Sequence, residues 1–122
     1  MGIVLVVDDE YGVADLIEAI LTDEGHRVLK APNGRQGLEL LTKEQFDLVF
    51  LDYMMPVMDG SMMLRVIEGH PELKRIPVVM MSSMPEDNVA ERCSGHVAFM
   101  RKPFSINEVI KLAMRFIPSS TE

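Results

Sequence analysis

The stretch Leu48-Val49-Phe50-Leu51, closed by Asp52, constrains this chain more than any other. Consecutive apolar residues of strand length, with no polar alternation, describe a strand covered on both faces, as strands are inside a parallel sheet. Ile3-Val4-Leu5-Val6-Val7 is a second run of this kind, and it too ends on acid, Asp8-Asp9-Glu10. Strands buried on both sides need helices on both sides, so the remaining chain must alternate between the two kinds of element.

The periodicity meets that demand. Val13, Leu16, Ile17, Ile20 and Leu21 share one helical face, and Gly25 ends it. Arg27-Val28-Leu29-Lys30-Ala31 is a more polar strand suited to a sheet edge. Pro32-Asn33-Gly34 is turn chemistry, and Leu38 and Leu41 mark a short helix behind it. Beyond Asp52, Pro56 to Gly60 reads as a loop, and Met63, Val66 and Ile67 form a stripe that stops near Gly69-His70-Pro71. Pro77 to Met81 is a fourth strand, ending on Ser82-Ser83, and Val97 to Met100 a fifth, running into Arg101-Lys102-Pro103. Between these two strands a short helix is expected around Asn88 to Cys93. Ser105 with Glu108 is a capping box, and Ile106, Val109, Ile110, Ala113, Met114 and Ile117 are the stripe of the last helix. The pattern predicts a doubly wound α/β fold: one five-stranded parallel sheet with right-handed crossovers, compatible with the order 2-1-3-4-5. It is expected to form one domain over 1–118, with 119–122 a tail or linker stub.

Charge and composition narrow the function. A formal net charge of −7 and no basic stripe argue against direct nucleic-acid binding. No apolar run approaches the roughly 20 residues of a membrane span. The amino terminus has no basic leader, so a cytoplasmic address without membrane contact is expected. Cys93 is the only cysteine and reads as a small apolar residue.

In a parallel sheet the carboxyl ends of strands one, three, four and five deliver Asp8 and Asp9, Asp52, Ser82 and Lys102 to one rim. Carboxylates this close raise one another's pKa unless a cation joins them, and a divalent ion, Mg²⁺ or Mn²⁺, is the expected partner. A carboxylate beside such an ion and an ammonium can attack phosphorus and carry the phosphoryl group. Asp52, alone on its central strand, is the expected nucleophile. Asp9 is expected as a direct metal ligand, Asp8 as a direct or water-mediated one, and the Met54 carbonyl as a backbone oxygen. Ser82 is expected to hydrogen-bond the phosphoryl group and Lys102 to pair with it. Singly, each residue has a plainer reading: Asp8-Asp9-Glu10 as acids at a helix start, Asp52 as a turn former, Lys102 as a solvated lysine. The Met54, Met55, Met58, Met62 and Met63 cluster reads as loop and core filling, and His26, His70 and His96 as surface residues.

The ordered set resembles the receiver domain of two-component response regulators. The likeness is carried by Val7-Asp8-Asp9-Glu10, by Leu51-Asp52-Tyr53-Met54-Met55-Pro56-Val57-Met58-Asp59-Gly60, by Ser82 and by Lys102-Pro103-Phe104. It implies a flavodoxin-like (CheY-like) receiver fold and a cytoplasmic signal-transduction phosphoprotein. The phosphoryl group would come from a histidine kinase or a phosphotransfer protein and rest on Asp52 as an aspartyl phosphate. It further implies a cis Lys102-Pro103 peptide and a switch in which Ser82 moves and Phe99 rotates inward. The face made by the fourth helix, fifth strand and fifth helix would then engage a downstream protein, an output domain or a second copy of the chain. Such a domain assists its own phosphorylation and dephosphorylation without being an enzyme.

Three features depart from the family pattern. The interval from Ser82 to Lys102 is short and contains Pro85, so a short, displaced or partly disordered fourth helix is expected. Phe99 stands where tyrosine is frequent, and Ser83 carries an extra hydroxyl beside the phosphoryl site. Two other readings remain: a binding module of this fold that is never phosphorylated, and an aspartyl-phosphate phosphatase. The second would need an acid two residues after the nucleophile, where this chain has Met54.

Overall fold

The computed structural model describes residues 2–118. Five parallel strands form one sheet in the order β2-β1-β3-β4-β5. They are β1 (Ile3–Val7), β2 (Arg27–Ala31), β3 (Leu48–Asp52), β4 (Val78–Ser82) and β5 (Ala98–Arg101), interleaved with α1 (Tyr11–Asp23), α2 (Gly34–Leu41), α3 (Gly60–Glu68), α4 (Glu86–Ala90) and α5 (Ile106–Phe116). The sheet order is the predicted one, with the polar strand β2 at an edge and β1 and β3 inside.

The unbroken apolar runs follow from two packed faces. Successive side chains point to opposite sides of a strand, and here each side meets a different core. Leu5, Val7, Val49, Leu51 and Met80 pack with Leu41, Met63, Leu64, Ile67 and Val89 of α2, α3 and α4. Val4, Val6, Leu48, Phe50, Val79 and Met81 pack with Ala14, Ile17, Leu21, Val109 and Ala113 of α1 and α5. Each fully buried side chain of this size contributes about 1.5–3 kcal/mol of transfer free energy, so the sheet is held from both sides.

Local chemistry sets the helix ends. Asn33 and Asp59 accept from the backbone N–H of Gln36 and Met62, and Ser105 and Glu108 form the predicted capping box. Gly25, at φ +93, closes α1 in a left-handed conformation that suits glycine.

Several expectations need correction. The fourth helix is Glu86–Ala90 and not Asn88 to Cys93. Pro85 is the N-cap, its ψ of 150 still extended, and Glu86 and Asp87 suit the first turn, so the helix starts early, while Val89 and Cys93 still reach the core. Strands four and five begin and end one residue later than read. Leu16, Val66, Ile106 and Met114 are exposed, because a helix lying on a sheet buries a stripe narrower than the full run of apolar positions. Among the histidines only His70 is exposed; His26 is half-buried and accepts from the Gly2 N–H at 3.0 Å, and His96 is half-buried. Of the methionine cluster, Met63 is core and Met55 and Met58 pack against it, whereas Met54 and Met62 face solvent. The segment 119–122, read as a tail or linker stub, lies outside the described residues. Among the described residues no helix is long and apolar enough to cross a membrane.

Gly60 ties this framework to the end of β3. Its N–H donates to the Tyr53 carbonyl at 2.9 Å. A Cβ there would stand 2.8 Å from Tyr53 Cα, and nearer still to the Asp52 carbonyl oxygen. Backbone cannot swing aside as a side-chain tip can, so Gly60→Ala is expected to cost about 1–3 kcal/mol, readable as a lower urea midpoint.

Candidate phosphoacceptor site

Four strand ends build the cleft. Register pairs Asp52 with Met81 and Ser82 with Arg101, while the backbone bonds from Tyr53 N–H to Met81 O (2.8 Å) and Lys102 N–H to Ser82 O (2.9 Å) extend the ladders one step past the strands. Asp8 is anchored likewise, its N–H donating to the Ala31 carbonyl at 3.0 Å. The resulting cleft, of about 610 Å³, is lined on its polar side by Asp9, Glu10, Asp52, Ser82, Ser83 and Lys102, and on its apolar side by Val13, Leu16, Met54, Pro103 and Phe104.

Within it, carboxylate oxygens of Asp8, Glu10 and Asp52 lie within 4.8 Å of one another. The Lys102 ammonium sits among them, 2.9 Å from Asp8 Oδ2, 2.7 Å from Glu10 Oε1 and 3.2 Å from Asp52 Oδ1. Asp8 Oδ1 accepts from the Glu10 N–H at 2.9 Å. Asp8 Oδ2 is buried and, although the ammonium is near, lacks an aligned hydrogen bond.

The electrostatics follow from burial and crowding. Burial first, then the Asp8 charge, pushes the Asp52 carboxyl up to about 7, against the opposing pull of Lys102. Burial also raises Asp8. Burial works against the charge on Lys102, but its ion pairs with Glu10 and Asp8 outweigh that, and its pKa rises. Two buried acids held above their ordinary range while sharing one ammonium are a site short of positive charge. The donors are all oxygen, which suits a hard divalent cation such as Mg²⁺ or Mn²⁺.

The expected residues are distributed as follows. Asp8, Asp52, Ser82 and Lys102 converge on the cleft, as do Asp9 and Met54, both exposed. Asp9 stands outside the tight carboxylate group, and Glu10 occupies the third place in it. The extended residue Glu10 (φ −91, ψ 107) puts its side chain on the same side as Asp8, two residues back. That alternation was the signal in the sequence that could have singled out Glu10. Ser82 Oγ accepts from the Met84 N–H at 3.0 Å. Phe99 is half-buried on the α2-α3-α4 side, and the Lys102-Pro103 peptide is cis.

The sequence model of one family, described as the response regulator receiver domain, matches residues 4–114. The chain is 33% identical over 117 residues to the sporulation initiation phosphotransferase F of Bacillus subtilis (strain 168), covering 94% of this chain and 93% of that one. The signal receiver domain of a signal transduction histidine kinase from Syntrophus aciditrophicus superposes with a TM-score of 0.88 at 30% identity, covering 100% of this chain and 96% of the other. The receiver domain of a sensor histidine kinase from Pseudomonas aeruginosa PAO1 superposes with a TM-score of 0.89 at 27% identity, covering 97% and 98%. That domain holds a magnesium ion coordinated in its active site cleft.

Proposed function

The chain belongs to the response regulator receiver domain family, and on that premise we propose that Asp52 accepts a phosphoryl group from the phosphohistidine of a histidine kinase or a phosphotransfer protein. A carboxylate oxygen of Asp52 forms the new P–O bond as the P–N bond breaks and the imidazole leaves. Lys102 pairs with the phosphoryl oxygens, and Ser82, released from the Met84 N–H, donates its hydroxyl to one of them. Asp8, Asp52, Asp9 and the Met54 carbonyl are the groups to hold Mg²⁺ or Mn²⁺. The bound ion supplies positive charge that stabilises the transferring phosphoryl oxygens.

The observation that carries this reading is Asp52 itself: a buried acid raised to about 7, lining a cleft, with an ammonium 3.2 Å away. Met54 in place of an acid two residues later leaves a phosphatase without its general acid. The added charge of about −1.5 to −2 would then bias Ser82, Phe99 and the face of α4, β5 and α5 toward a downstream protein, an output domain or a second copy. The short α4 keeps a second reading in play, a binding module that is never phosphorylated.

One experiment separates them. With acetyl phosphate and Mg²⁺ the intact domain should gain one phosphoryl mass, and it should gain none in EDTA or as Asp52→Asn. Undiminished labelling of Asp52→Asn would sink the proposal, and no labelling of the native domain would favour the binding module.

A further inference from the structure

Glu10 lines the cleft without capping the helix it precedes. It occupies the N-cap of α1, yet its carboxylate bonds none of the helix's free N–H groups. It reaches across the cleft instead, to the Lys102 ammonium at 2.7 Å, the shortest of that group's three ion contacts. The longest is to Asp52, at 3.2 Å. Exposure divides the three anions: the Glu10 side chain is 62% exposed, those of Asp8 and Asp52 only 0% and 6%.

Resting on the phosphoacceptor reading, we propose that Glu10 is a positioning residue that holds Lys102 toward the cleft mouth and competes with the phosphoryl group for its ammonium. Of the three partners Glu10 alone can release the lysine cheaply. Water takes over its carboxylate, whereas releasing Asp8 or Asp52 strands a buried anion. A phosphoryl group on Asp52 brings about −1.5 to −2 charges next to the contact that is already longest, and the ammonium shifts inward as Glu10 lets go. The exchange opposes phosphorylation, because a pairing made before transfer must be given up during it. Glu10 is therefore a brake on phosphoryl uptake, built from a residue that need not touch the phosphoryl group.

Two substitutions test this. Glu10→Gln removes the charge; Glu10→Asp keeps it but is one methylene too short to hold the contact. Uptake from acetyl phosphate is measured at saturating Mg²⁺, so that any change in metal affinity drops out. The Lys102 Nζ signal is followed by NMR in the metal-free protein, independently of phosphorylation. Both variants should take up phosphoryl about 2–5-fold faster, within the range of a single weak ion pair, and both should shift the Lys102 signal. Acceleration in Glu10→Gln alone would mean that charge, and not the hold on Lys102, matters, and would overturn the proposal. An unmoved rate and signal in both variants would overturn it too. If the native domain takes no label at all, it is the phosphoacceptor reading that fails, and the proposal with it.

Discussion

Lys102→Ala should cost the metal-free domain about 3–5 kcal/mol at pH 8, the range for stranding buried partners, and far less at pH 5. Lys102 is the cation within 4 Å of Asp8, Glu10 and Asp52 among the described residues. Asp8 and Asp52 are buried, so without the ammonium they face each other across a medium that screens poorly. They have one escape, which is to take up protons. Asp52 already sits at about 7, so at pH 5 it holds its proton, Asp8 no longer faces a second charge, and the missing ammonium matters less. Urea unfolding in EDTA at the two pH values reads the difference. An equal loss at both would mean that Lys102 acts through the packing of its stem and not through its charge.

Asp52→Asn should do the reverse and stabilise the metal-free domain. A carboxyl raised from 3.8 to about 7 holds its proton in the folded state and loses it in the unfolded one throughout that interval. The folded form binds more protons there, so stability falls as pH rises from about 4 to about 7 and stays low above. Each tenfold change in proton affinity is worth about 1.4 kcal/mol. Allowing for relaxation, Asp52→Asn should gain on the order of 2–4 kcal/mol at pH 8 and almost nothing at pH 4. Lys102 keeps its nearer partners, Glu10 and Asp8, in the variant. Thermal melts in EDTA across this range should show the native slope flattened, and an identical slope in both proteins would contradict the charge account. Function and stability pull apart at this one position, as expected where a site concentrates like charge.

How much of this was legible beforehand depended on what each stretch has to do. The sheet order could be read because Leu48 to Leu51 and Ile3 to Val7 are apolar at every position, and only a strand packed on both faces makes use of that. The rim could be read because each inner strand stops on a residue no core would accept: Asp8, Asp52, Ser82. Helix faces were blurred, since Ile106 and Met114 continue an apolar period past the edge of the contact with the sheet. The fourth helix was misplaced because Val89 and Cys93 mark what is buried, whereas Pro85 decides where the helix starts. Glu10 escaped notice for a different reason. In the sequence it is one of three neighbouring acids at a helix start, and its pairing with Lys102 spans 92 positions.

The central claim is a phosphoryl group bound through the Asp52 carboxylate. An acyl phosphate is an activated carboxyl, which borohydride reduces to an alcohol, whereas a free carboxylate or a phosphate ester is untouched. After acetyl phosphate and Mg²⁺, reduction followed by peptide mass analysis should therefore find homoserine at position 52, dependent on the metal and on the donor. Homoserine at Asp8, Asp9 or Glu10, or phosphate that survives reduction on a serine, would contradict it.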